Sequence, residues 1–400
     1  MALLPIQESS PQQSTIWQVL SSFGFRVFFL LAGLMAVVVI PVWLVGINGW
    51  PATLSLQHYG SYWHGHEMMF GYTAAVVAGF LLTAAKNWTG QHTVIGKKLL
   101  ALGGCWLLAR TMIWVDVAPL QWLGIFCDLI FLPLLVYFVA RPILAAQQQR
   151  NYIFPVLLAA MTIAHIVMHM ALFYQKLVLV QQTLHFALFI IMTIMVTMAC
   201  RVVPFFTERG LNLKTPLLRD EKHDLWCAIT IGVAGLAYVL MAGWLSSILL
   251  SIAAVTLFSR TYKWYQPTIW RVPLLWVLHV GMLWLEIGLL LLALQSLQLS
   301  ELGAMGSSPI HALTTGCIGL MTLGMMSRVS LGHSGRPLQT VTATHWAFIL
   351  LNVAALIRVF GAWFLSSHYL LMVTVAGLLW TVAFLLFLWV YVPIFVTASK

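Results

Sequence analysis

The 400-residue sequence predicts an all-α polytopic membrane protein with about twelve transmembrane helices. Three observations predict it. Hydrophobic residues make up 61% of the chain and charged residues only 8%, more apolar surface than a soluble core can hide. The apolar residues come in runs of about twenty, the length a helix needs to cross a bilayer core of about 30 Å. The 18 Trp and 11 Tyr suit a chain with many membrane–water crossings, because both residues favour that interface. Lipid offers no partner to a free backbone group, so long uncharged runs cross as helices.

The runs place spans at 25–46, 65–85, 98–115, 119–140, 152–173, 181–203, 224–243, 245–263, 272–296, 309–330, 341–364 and 369–396. The first run, Phe23 to Val45, has no basic residue before Arg26 and is too long for a signal-peptide core. It reads as a retained helix after a cytoplasmic N-terminal segment, residues 1–24. The connections are short, so residues 1–400 read as one twelve-helix transmembrane domain. The longest polar stretch, RVVPFFTERGLNLKTPLLRDEKHD, carries five basic residues and is expected to lie along the membrane surface.

Every Lys and Arg except Arg110, Lys176 and Arg358 falls at one end of this array, Lys400 included. Cytoplasmic loops carry the basic excess, so that end is expected to be cytoplasmic, with both termini on it. The net charge of +10 then reflects topology and contact with anionic lipid, not nucleic-acid binding. The five cysteines form no CxxC pair and read as packing residues rather than disulfides.

The orientation gives the histidines a depth. His64 and His66 open the second span from the outer side, His185 the sixth and His311 the tenth. His165 and His169 sit in the outer half of the fifth span, at an i, i+4 spacing that puts both on one helix face. Each alone reads as an interfacial or core histidine with a hydrogen-bond partner. Together, six at one level of a membrane protein point to a ligand set, because imidazole is the commonest metal ligand and a usual axial ligand of haem iron. A side chain two residues along a helix turns by about 200°, so His64 and His66 share a site only if the helix begins between them.

A weak repeat joins three of these helices. Aligned on Gly90, Gly210 and Gly335, the second, sixth and tenth spans each begin with histidine and carry Gly79, Ala199 or Gly324 at matching depth. This points to a pseudo-threefold repeat of four helices. Other motifs fail: His66-Glu67 starts an HExxH pattern, but Phe70 occupies its closing position. There is no phosphate loop, dinucleotide fingerprint, nucleophile elbow or CxxCH, so any haem is held non-covalently. Met68 and Met69 read as packing, or as soft ligands for copper. Asp128 reads as a tie to Arg110. Glu286, two turns above His279, reads as hydrogen-bonded to a neighbour or as part of an ion path.

HGHEMMFGYTAAVVAGFLLTAAKNWTG, RVVPFFTERG and HALTTGCIGLMTLGMMSRVSLGHSGRPL resemble the recurring blocks of the NnrS family, from the second helix to at least the eleventh. The resemblance implies a bacterial inner-membrane protein containing haem b and copper, linked to denitrification and nitric oxide resistance, with no settled reaction and an unknown electron donor. A more distant likeness is to the catalytic subunit of haem–copper oxidases, with twelve helices and ligand histidines on the second, sixth and tenth. It implies His66 and His311 as axial ligands of a haem, and His185 with His165 and His169 as a second metal site. The chain departs from that pattern: its seventh helix has no histidine pair, and Leu313 follows His311 where a second ligand would stand. Arg358 is expected near the outer end of its helix, beside a haem propionate or a lipid phosphate. The expected function is binding or detoxification of nitric oxide near the periplasmic face. The rival expectation is a copper or metal-ion transporter or tolerance protein without haem turnover.

Overall fold

Among the described residues, twelve long helices form in the order the apolar runs predict. The computed structural model describes residues 15–49, 62–115, 117–241, 243–298 and 305–399. The helices are α1 (Gly24–Ile47), α2 (Trp63–Thr89), α3 (Lys97–Met112), α4 (Ala118–Ala145), α5 (Ile153–Phe173) and α6 (Leu177–Leu211). After them come α7 (Glu221–Leu240), α8 (Trp244–Thr261), α9 (Pro273–Ser296), α10 (Ser308–His333), α11 (Thr342–Phe364) and α12 (Tyr369–Val396). Eleven of them are long and apolar enough to cross a membrane. The other, α3, has 16 residues, so it spans about 24 Å and carries Lys97, Lys98 and Arg110 near its ends. Most of segment 1–24, and Lys400, lie outside the described residues.

Helix α1 packs against α12, α2 and α3, α2 packs on α4, and from α3 onward each helix packs on the next. The helices that carry His66, His185 and His311, α2, α6 and α10, are the most enclosed, and α6 starts at Leu177, two turns before the histidine expected to open it. Their interior faces carry no hydrophobic stripe set against a polar one, because lipid on the outer face is as apolar as protein on the inner. What separates the faces is size. A Cβ on Gly79 would come within 2.8 Å of Phe29, and one on Gly324 within 2.7 Å of Val277, so small residues let α2 and α10 approach their neighbours.

Two of the three aligned glycines, Gly90 and Gly335, form left-handed turns after their helices, both at φ +69°, a conformation that costs glycine nothing. In α6 the turn moves on. Gly210 stays helical against Leu275, and Asn212, at φ +51°, takes the left-handed position. Helix α6 therefore runs 35 residues, through Pro204, and of the stretch expected on the membrane surface only 212–220 lies outside helices. Glu208 closes that loop, accepting from Leu217 N at 2.7 Å and Arg219 Nη2 at 2.6 Å. All five cysteines are free thiols. The buried Arg26 on α1 donates to the carbonyls of Ile394, Phe395 and Thr397 at 2.8 Å, capping the C-terminal end of α12.

Candidate metal and cofactor sites

The first helical turn of α2, Trp63–His66, passes into a π-helical turn over Glu67–Thr73. Helix α10 does the same: Ser308–His311, then a π turn over Ala312–Ile318. Wide turns of this kind are rare and favour functional sites. Each follows directly on a predicted ligand histidine, so α2 and α10 share a device that α6 lacks. In α2, Thr73 Oγ1 donates back to Met68 O at 2.7 Å. The Gly71 carbonyl accepts from Trp106 Nε1 of α3 at 3.2 Å, which locks the turn to its neighbour.

The turn presents His66 to α4 and α5. Three imidazole Nε2 atoms, of His66, His165 and His169, converge with Asp128 Oδ2. His66 lies 3.0 Å from Asp128 and 3.0 Å from His165. Asp128 lies 3.2 Å from His165 and 3.1 Å from His169, and the last two are 3.2 Å apart. These are five of the six edges of a four-cornered cage. Metal–nitrogen bonds of about 2.0–2.1 Å in a tetrahedron put ligand atoms about 3.3 Å apart, so the cage has the size of a metal site. His165 and His169 share a face because they are four residues apart. Asp128 is the lone acid of α4 and lies within its apolar run.

A second layer holds these ligands. His66 Nδ1 donates to Glu67 Oε1 at 3.0 Å, which leaves Nε2 to offer its lone pair to the cage. A carboxylate behind a ligand histidine is the common way to fix its tautomer. Arg110 pairs with Asp128 and lies 3.4 Å from Glu67, as the sequence anticipated for Asp128. A Cβ on Gly71 would sit 2.9 Å from Glu67 Oε2 and 3.0 Å from Arg110 Nη1, so only glycine leaves room for that pair. His165 is held by stacking on Phe70, with ring centroids 4.2 Å apart and planes 15° apart. All six polar residues are buried, none more than 6% exposed.

On the other side of α2 lies a cavity of about 560 Å³. His64, His185 and His311 line it with Arg358, Trp43 and Trp380. His64 stacks on Trp43 at 5.1 Å, and His185 lies beside Tyr238 at 5.4 Å. His311 Nδ1 donates to Ser307 O at 2.8 Å, so its Nε2 carries the free lone pair. Arg358 donates to Ser307 Oγ at 2.8 Å and Tyr369 Oη at 3.3 Å, while its Nη1 has no hydrogen-bond partner. The volume falls within the roughly 300–1,000 Å³ usual for cofactor sites.

The fold thus sorts the predicted residues into two groups. His66, His165 and His169 come together with Asp128; His311, His185, His64 and Arg358 come together around the cavity. The pairing of His66 with His311 is not the grouping seen, nor that of His185 with His165 and His169. The reason is helical geometry: the two side chains of α2 turn to opposite sides, so His64 reaches the cavity where His66 was expected. Helix α5 packs on α4, which packs on α2, and this chain of contacts carries its histidines to His66. Asp128 as a candidate fourth ligand and Glu67 as the partner of His66 were not anticipated from the sequence. The available signal was a carboxylate alone in an apolar run. Gly71, Gly316 and Gly319 follow the outer histidines on α2 and α10. They serve close packing, a Cβ on Gly316 coming within 2.6 Å of Trp284 and one on Gly319 within 2.8 Å of Trp380. Met68 and Met69 line the cavity. Glu286 accepts from Thr261 at 2.6 Å and His279 meets Thr207 at 3.0 Å, so each bonds to a different helix.

Fold and sites together define a multi-pass, all-α membrane protein with a buried His/Asp cluster able to hold a metal ion. The chain belongs to the NnrS family, a family linked to nitric oxide: the profile described as NnrS protein matches residues 19–399, nearly the whole length. No curated protein matches the chain.

Proposed function

We propose that the protein binds or detoxifies nitric oxide in the bacterial inner membrane, using copper and haem b held near the periplasmic face. The observation that carries the reading is the convergence of three Nε2 atoms and one carboxylate oxygen at 3.0–3.2 Å. An imidazole-rich set suits copper, zinc, iron or nickel, and the family resemblance favours copper. His66, His165, His169 and Asp128 would hold that ion, with Glu67 fixing the tautomer of His66.

The cavity beside α2 is the place for a non-covalent haem. His311 has the lone pair, the tautomer and the depth to serve as an axial ligand, and His64 and His185 line the same space. Arg358 supplies a buried cation with an unpartnered N–H, the group a propionate needs. Bound there, haem supplies an iron that takes up small gases; the protein positions that iron, sets its ligand field and excludes water. Nitric oxide is apolar enough to arrive through lipid. The concentration of basic residues at the opposite end supports a cytoplasmic placement of that end and of both termini.

The transporter reading asks for a ligand set open to both faces. Four ligands, each at most 6% exposed, favour a resident ion instead. The test is the optical spectrum of the purified protein, oxidised and reduced, with metal analysis beside it. The expected result is a Soret band that shifts on adding nitric oxide, and about one copper per chain. Absence of both haem and copper after expression in replete cells overturns the reading.

A further inference from the structure

A second cavity, of about 310 Å³, lies between α1, α2 and α3, on the far side of Glu67 from His66. Its wall on α1 runs from Leu31 to Val42, about 16 Å along the helix. Its mouth faces lipid, because Leu34, Val38 and Leu107 line it and are 46%, 55% and 47% exposed. Trp63, Trp106 and Trp114 form the rest of the wall, with Glu67 and Arg110. Trp63 Nε1 and Arg110 Nη1 are buried without hydrogen-bond partners, and Glu67 Oε2 has only its 3.4 Å ion pair to Arg110 Nε. Buried polar atoms are nearly always satisfied, so two unpartnered N–H groups and a half-satisfied carboxylate on residues of one cavity wall call for an occupant that carries its own donors or acceptors.

We propose that this cavity binds the head group of a membrane quinone. The space is far larger than a diatomic gas requires and is long enough for a ring with the start of an alkyl tail. Charge argues against a phospholipid phosphate. One guanidinium, Arg110, already faces two carboxyls, Glu67 and Asp128, so no spare cation is left for an anion. A quinone is uncharged, flat and confined to lipid. Its oxygens accept from N–H groups such as those of Trp63 and Arg110, and the hydroxyls of its reduced form donate to a carboxylate such as Glu67. The three tryptophans offer faces for the ring. Glu67 bonds to His66 at 3.0 Å, which sets the occupant one side chain from the metal cluster. The proposal goes beyond the reading of the metal and haem sites and does not depend on it.

The experiment uses the full chain in phosphatidylcholine nanodiscs and a photoreactive azido-quinone with a decyl chain. Adducts are mapped by mass spectrometry, with metal content measured on the same samples. Labelling is expected within Gly24–Ile47 and Lys97–Met112, suppressed by excess unreactive decyl-quinone. Trp63→Phe, which keeps the ring and removes the N–H, should weaken competition about fivefold. Leu34→Trp with Leu107→Trp, which narrow the mouth from opposite walls and touch no metal ligand, should reduce labelling at least tenfold with metal content unchanged. Labelling spread over other helices, or not suppressed by competitor, overturns the proposal. Displacement of the probe by phosphatidylglycerol also overturns it, by making this a lipid head-group site.

Discussion

His66 Nε2 and Asp128 Oδ2 lie 3.0 Å apart, although their helices are separated in the chain by α3. The contact is what turns a histidine at the start of α2 into a member of a ligand cage. Asp128 Oδ2 meets the fifth-helix pair as well, at 3.2 Å from His165 and 3.1 Å from His169.

Removing one ligand should empty the cage. His165→Ala or His169→Ala is expected to lower bound metal from about one per chain to near zero. Glu67→Gln, which keeps the ligands but loosens the tautomer of His66, should weaken binding about 10- to 100-fold. Metal analysis after dialysis against a graded chelator series checks both, and unchanged retention in His169→Ala sinks the ligand assignment.

The two sites should respond separately. His66→Ala is expected to lose the cluster metal and keep the haem spectrum, whereas His311→Ala should alter the haem spectrum and keep the cluster metal. A loss of low-spin haem in His66→Ala with metal retained would falsify the division between the two sites.

Arg110 neutralises two carboxyls in a buried place. Arg110→Leu should destabilise the protein by about 3–5 kcal/mol, the cost of leaving a buried charge uncompensated. Arg110→Lys should recover part of it, since a point charge replaces a fork that reaches Asp128 and Glu67 together. Thermal unfolding in detergent, read by circular dichroism, gives the order wild type, Lys, Leu; any other order argues against the charge-balance role.

Gly316 is a packing position. Gly316→Ala should cost about 1–3 kcal/mol, because its methyl group meets the Trp284 ring. The haem spectrum of the folded fraction should not change. A spectral shift with unaltered stability would make Gly316 part of the cofactor site instead.

Orientation is open to labelling. In intact cells, Lys176→Cys should react with a membrane-impermeant maleimide and Lys214→Cys should not. The reverse pattern inverts the topology and moves both sites to the cytoplasmic side.

Much of this architecture was legible in the sequence because one property, the length of an apolar run, sets both the number and the order of the helices. All twelve runs became helices, and the short α3 still begins and ends close to where it was read. Depth was legible too: His64, His185 and His311 do reach one cavity. What the sequence could not supply was azimuth. In a soluble helix a polar face tells which side looks outward, but α5 is apolar all round, so nothing marks His165 and His169 as turned toward α4 rather than α6. Asp128 was invisible as a ligand for a similar reason. A lone carboxylate in lipid needs a partner, and Arg110 already satisfied that need on paper.

The π turn after His66 has a consequence for how this chain tolerates change. A π turn holds one more residue than regular winding allows. Deleting one residue between Glu67 and Thr73 would return this stretch to ordinary winding with Trp63–His66 kept in register, and would displace only the residues of the turn itself. Those residues include Glu67, Phe70 and Gly71, which back the cluster against His66, His165 and Arg110. A one-residue deletion there would disturb the support behind the cluster and leave His64 and His66 on their own sides of the helix.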